Sequence, residues 1–209
     1  MLPHSRVLDV LERAYGPCPG FAGVCQTMRW QPRSGHVPRG FAGALGLPED
    51  VRLVLVTAEP GDPYPSESYP AGSSPRAILE SVCRYVLGVL ESGNDLYHRN
   101  LRYILNGCFR GKTFREQLEH VWITDSVLCS AEQEGGHISA AVGRECRMRY
   151  LEAQLELFPN AHVVALGGKA QQRLRNWPKN VHPAYSVAPP ACNYKPARPS
   201  WDAIIDLFP

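Results

Sequence analysis

Three short segments place chemistry-bearing side chains at or near the ends of apolar runs. Glu59 follows "VRLVLVT" (51–57) within Ala58-Glu59-Pro60-Gly61, Asp125 follows "VWIT" (121–124) beside Ser126, and His182 lies in "NVHPA" (180–184) before Pro183. A carboxylate can take a proton or face a developing cation, and an imidazole exchanges a proton near neutral pH. Each also has a plainer reading. Glu59 suits a loop acid capping the next helix, since acids favour helix starts, and His182 suits a satisfied structural histidine. A second group comprises the seven cysteines, Cys18, Cys25, Cys83, Cys108, Cys129, Cys146 and Cys192. An odd count in a chain with no export signal disfavours a disulfide framework. That leaves buried thiols or metal ligands. Gly167-Gly168-Lys169 follows another apolar run and could hold a phosphate at a helix start; two glycines also serve tight strand-to-helix packing.

Elements must position these residues. "VRLVLVT" is short, apolar and β-branched, as a buried parallel strand should be. "VWIT" and "AHVVALG" (161–167) predict two more strands, and residues 180–184 a short fourth. Helical periodicity predicts helices over 6–15, with Val7, Val10, Leu11 and Ala14 on one face, and over 74–92, 95–105, 113–120, 143–158 and 168–177. A last helix follows Ser200, read as its N-cap. Strands alternating with helices imply an α/β fold: a three-layer α/β/α sandwich around a central, mainly parallel four-stranded sheet. Ligands of such sheets sit beyond the carboxyl ends of the strands. Glu59, Asp125 and His182 are therefore expected to converge on one crevice.

The chain has 209 residues, 44% of them hydrophobic, which fits a single domain over 1–209. Residues 16–50 read as a long irregular loop that needs a function or a tether. A net charge of +2 argues against bulk electrostatic capture of nucleic acid and leaves room for a local basic patch. No apolar run reaches membrane-spanning length, and the N-terminal residues lack the apolar stretch of a signal peptide. The expectation is a cytoplasmic monomer with no membrane partner.

At these residues the chain resembles the uracil-DNA glycosylase superfamily, nearest its iron–sulfur, family 4-like branch. Thr57-Ala58-Glu59-Pro60-Gly61 is similar to that branch's Gly-Glu-Ala-Pro-Gly, with the acid one residue later. Thr124-Asp125-Ser126-Val127-Leu128-Cys129 is similar to Thr-Asn-Val-Val-Lys-Cys. "CRMRYLEAQLELFPNAHVVALGGKA" (146–170) is similar to a Cys-x-x-Tyr-Leu-x-x-Gln helix, a proline and Val-Ile-Ala-Leu-Gly. His182-Pro183-Ala184-Tyr185 is similar to His-Pro-Ser-Tyr, and Trp201-Asp202 opens a similar final helix. Order and spacing agree over roughly residues 10 to 206.

The resemblance implies a monofunctional DNA base-excision repair enzyme. It would hydrolyse the N-glycosidic bond of uracil, or of a related deaminated or damaged base, flipped out of DNA. Glu59 would orient water or stabilise the sugar cation, and His182 would stabilise the departing base. Asp125 stands where the family's Asn reads uracil. An ionised carboxylate only accepts hydrogen bonds, so it mismatches uracil's O4 unless protonated. Ala58, Tyr69 and Tyr64 would wall the base site, with Tyr69 preferred for stacking. Gly168, Lys169, Ala184 and Tyr185 would meet phosphates. Cys18, Cys25, Cys129 and Cys146 would hold a structural [4Fe–4S] cluster, with zinc or no metal as alternatives. His137 has the region, but not the flanking basic run, of a covalent trap in a related branch. The rival readings are a binding module without catalysis and a hydrolase of free nucleosides.

Overall fold

The computed structural model describes residues 1–70 and 72–208. The central sheet comprises β1 (Ala42–Gly43), β2 (Leu53–Thr57), β3 (Val121–Asp125), β4 (His162–Leu166) and β5 (Val181–Ala184), in the order β1-β3-β2-β4-β5. β2, β3, β4 and β5 pair in parallel, and β1 adds a short antiparallel fifth strand on the β3 edge. Sequence reading leaves that strand inside the long loop of residues 16–50. Two residues carry too little periodicity to register as a strand, and only pairing with Trp122 and Ile123 makes them one.

The helices are α1 (Ser5–Glu12), α2 (Pro75–Ser92), α3 (Leu96–Cys108), α4 (Phe114–Glu119), α5 (Ala140–Cys146), α6 (Glu152–Glu156), α7 (Gly168–Leu174) and α8 (Ala197–Ile205). They cover both sheet faces. Val54, Val56, Trp122, Val163 and Ala165 pack against α1, the first half of α2, α5, α6 and α7. Leu53, Leu55, Ile123, Val164 and Leu166 pack against the end of α2, α3, α4 and α8. All five residues of β2 and of β3 are buried, which is why their sequences run apolar without alternation.

Two local features depart from the sequence expectation. A π-helical turn, Arg147–Leu151, joins α5 to α6. A π turn carries one extra residue without ending a helix. Ser200 is not an N-cap. α8 begins at Ala197, and Ser200 Oγ donates to Ala197 O within it while accepting from Tyr185 N at 3.0 Å. That bond anchors β5 to α8. On the other side of β5, Ala184 O accepts from Gly167 N at 2.8 Å.

Candidate functional site

The carboxyl ends of β2 and β3 lie side by side, with Thr57 in register with Asp125. Beyond them the two chains stay joined: Ser126 N donates to Thr57 O at 2.9 Å and Val127 N to Ala58 O at 3.1 Å. Ser126 Oγ and Arg173 also donate to Ala58 O, at 2.7 Å each. Ala58 is thus a hub of backbone acceptance rather than a side-chain wall. The turn that follows is held by Arg39 and Ser130, which both donate to Gly61 O. A side chain at Gly61 would meet the tip of the exposed Glu134 side chain, which would have to swing aside.

Glu59 is delivered to the rim, as its position after the strand suggests. Its side chain is only 7% exposed and pairs with two cations of α7. Arg173 donates to Glu59 Oε2 at 2.7 Å and to Ser126 Oγ at 3.0 Å. Lys169 pairs with Glu59 Oε1 and lies 3.4–3.5 Å from the carbonyls of Gly135 and Gly136. Lys169 is therefore engaged with a carboxylate, and does not stand free beside Gly167 and Gly168 as a phosphate ligand. Arg173 went unnoticed in the sequence. Its signal is the i,i+4 spacing from Lys169, which puts both cations on one helix face.

Asp125 is buried at the floor of the same rim. Thr57 Oγ1 donates to its Oδ1, and Tyr97 OH from α3 lies 3.5 Å from that hydroxyl. Burial, reinforced by the charge of Glu59, pushes its carboxyl up to about 7 against the opposing pull of Thr57, Arg39 and Arg173. Gly40, at φ +89°, lies against the carboxylate; an added Cβ would stand 1.9 Å from Oδ2. Tyr97 is a second residue the sequence reading missed. It sits in the first turn of α3, beside the Asp95 N-cap, where Asp95 also accepts from Tyr64 OH and lies 2.7 Å from His98 Nδ1.

His182 is not brought to this rim. It is the second residue of β5, in register with Val164, and its ring meets that of His162 with centroids 5.4 Å apart. His162 opens β4 opposite Leu53, at the other end of the sheet from Thr57. Three strand spacings also separate β5 from β3, roughly 14 Å sideways. Burial and His162 lower the His182 pKa. The cause of the misplacement is register: residues 180–184 reveal a strand but not how far it runs, and Ala184 is the residue level with Leu166 at the rim. Tyr185 follows there, 39% exposed, with Tyr194 edge-on at 6.5 Å.

Tyr69 is not an open stacking platform. It is 3% exposed within the α1–α2 side of the core, and its hydroxyl donates to Glu67 at 2.7 Å. Tyr64 is exposed and tied to Asp95. His137 lies in the loop whose Gly135 and Gly136 carbonyls face Lys169.

The four cysteines singled out in the sequence line one cavity: Cys18, Cys25, Cys129 and Cys146. Cys18 caps a short turn, Pro19–Ala22, that folds Cys25 back beside it, and a Cβ at Gly20 would lie 3.0 Å from Cys25 Sγ and 3.4 Å from Cys18 Sγ. The six intervening residues thus do not keep Cys25 away. Gly20 N donates to Cys18 Sγ at 3.3 Å, Tyr150 OH at 2.9 Å, and Leu128 N donates to Cys146 Sγ at 3.4 Å. Such donors suit metal-bound thiolates. Among the described residues no three His, Cys, Asp or Glu side chains converge as a single-ion site requires. Zinc would draw its sulfurs to about 2.3 Å of one point, and each thiolate of a four-iron cluster would take a different iron. Burial raises the Cys129 thiol and pushes Cys146 up to about 12, so any metal bound there would have to displace protons. Cys83 and Cys108 are packed into the two core clusters as ordinary thiols.

No family model matches this chain, and no curated protein matches it. Among the described residues no helix is long and apolar enough to cross a membrane.

Proposed function

We propose that this chain is a DNA base-excising glycosylase of the uracil-DNA glycosylase superfamily, acting on uracil or a related deaminated or damaged base. The observation that carries the reading is the carboxyl pair at the ends of adjacent strands: Glu59 ion-paired at the rim, Asp125 buried below and pushed up to about 7. Two neighbouring acids in unlike environments take unlike roles. Glu59, held by Arg173, would present negative charge to the positive charge that a glycosidic bond broken at this rim leaves on the sugar. Neutral Asp125 both donates and accepts, which suits the O4 and N3–H edge of uracil; ionised, it only accepts. A [4Fe–4S] cluster on Cys18, Cys25, Cys129 and Cys146 would act as a structural cross-link. Those residues then fix the strand-end segment 126–130 beside the rim.

The position of His182 favours a second reading, a base-binding member of this fold with little or no catalysis. The residue assigned to stabilise the departing base sits mid-strand, level with Leu55, with its ring against His162 rather than at the rim, and two cations offset the charge of Glu59. Oligonucleotides carrying uracil, hypoxanthine, xanthine or oxidised pyrimidines, single- and double-stranded, separate the two. Alkali-labile sites that vanish in Glu59→Gln support the enzyme. Tight binding without strand breaks supports the binding module. Turnover of free nucleosides alone overturns both.

A further inference from the structure

α7 has two working faces. Lys169 and Arg173 turn toward Glu59, while Gln171, Leu174 and Arg175 turn toward β5 and border a separate open pocket of about 320 Å³. Its remaining lining comes from Ala165, Trp177, Lys179, Asn180, Val181 and Pro183. No carboxylate lines it. Among the described residues, neither Arg175 nor Lys179 forms an ion pair, although every cation at the Glu59 rim does. The pocket therefore combines free positive charge with an apolar floor of Leu174, Val181 and Pro183. Its volume lies at the lower end for small-molecule sites and exceeds what a bare phosphate fills.

The geometry points to a second binding site, between α7 and β5, for a phosphate-bearing nucleotide unit. Arg175 and Lys179 take the phosphate, and the apolar floor and Trp177 take the sugar and base. The phosphate has two possible sources, a free mononucleotide or one unit of a nucleic-acid strand. The site stands apart from the chemistry assigned to Glu59, and Glu59→Gln protein is used throughout the test so that the two readings fail separately.

Thymidine 5′-monophosphate, thymidine, inorganic phosphate and a short oligothymidine are titrated calorimetrically at low salt. The monophosphate or the oligothymidine binds, and thymidine binds far more weakly. Arg175→Ala with Lys179→Ala weakens binding about tenfold or more; both residues are exposed, so the fold persists. Monophosphate binding assigns the free nucleotide as source, and binding of oligothymidine alone assigns the strand. Thymidine binding as tightly as its monophosphate, unchanged affinity in the double variant, or no binding of either phosphate-bearing probe overturns the proposal.

Discussion

At the scale of single residues, Asp125 sets a pH dependence. Its folded pKa of about 7 lies above the usual aspartate value, so the native state holds a proton that the unfolded chain has lost. Stability is therefore greatest below about pH 4 for this group and falls as pH rises toward about 7. The full loss is on the order of 4 kcal/mol. Denaturant unfolding at pH 5 and pH 8 should show that fall, and Asp125→Asn should abolish this contribution while keeping the bond from Thr57. The same titration predicts that uracil release, if it occurs, declines above about pH 7 and that Asp125→Asn flattens that decline; an unchanged profile removes Asp125 from base reading. Gly40 is the neighbour that permits this burial. Gly40→Ala meets both a positive φ and the Asp125 carboxylate. It should cost about 2–4 kcal/mol in urea melts, and an Asp125→Ala background should recover part of that by making room.

At the scale of elements, α7 is the piece that ties the rim together. Arg173 spans Ala58 O, Glu59 and Ser126, so it links α7 to the ends of both β2 and β3. Arg173→Ala leaves a mostly buried carboxylate with Lys169 alone, at about 2–3 kcal/mol. The thermal midpoint should drop by roughly 5–10 °C, with any glycosylase activity falling further than in Lys169→Ala. Which elements exist was largely legible in the sequence. The unalternating run at 51–57 could only be a strand covered on both faces, and the periodicity of 74–92 only a long amphipathic helix. Glu59 and Asp125 were legible because each directly ends such a strand. His182 was not, because strand length and register come from pairing with β4, which no local pattern encodes. Burial of Tyr69 was not legible either, because a loop position does not reveal that the core against α1 and α2 claims the ring. Arg173 and Tyr97 act through partners more than 40 residues away or on other elements, as Arg173 does with Ala58 and Tyr97 with Thr57.

At the scale of the whole molecule, the four thiols join the N-terminal segment to the α5 side of the sheet. Cys18 and Cys25 come from residues before β1, Cys129 from the segment after β3, and Cys146 from the end of α5. If the proposed cluster forms, the purified protein is brown and absorbs near about 400 nm, and Cys146→Ser or Cys25→Ser bleaches it. Loss of the cluster by chelation and oxidation should then expose residues 16–40 to limited proteolysis before the sheet unfolds, because that stretch has little regular structure of its own. A colourless protein binding stoichiometric zinc would reject the cluster.

The outer side of β5 also bears on how this protein behaves among copies of itself. Ala184 turns its carbonyl toward Gly167, so Pro183 and Tyr185 face away from β4; the first has no N–H and the second gives its own to Ser200. An incoming strand finds almost no donors along that border, and sheet-to-sheet aggregation is blunted there without a charged gatekeeper.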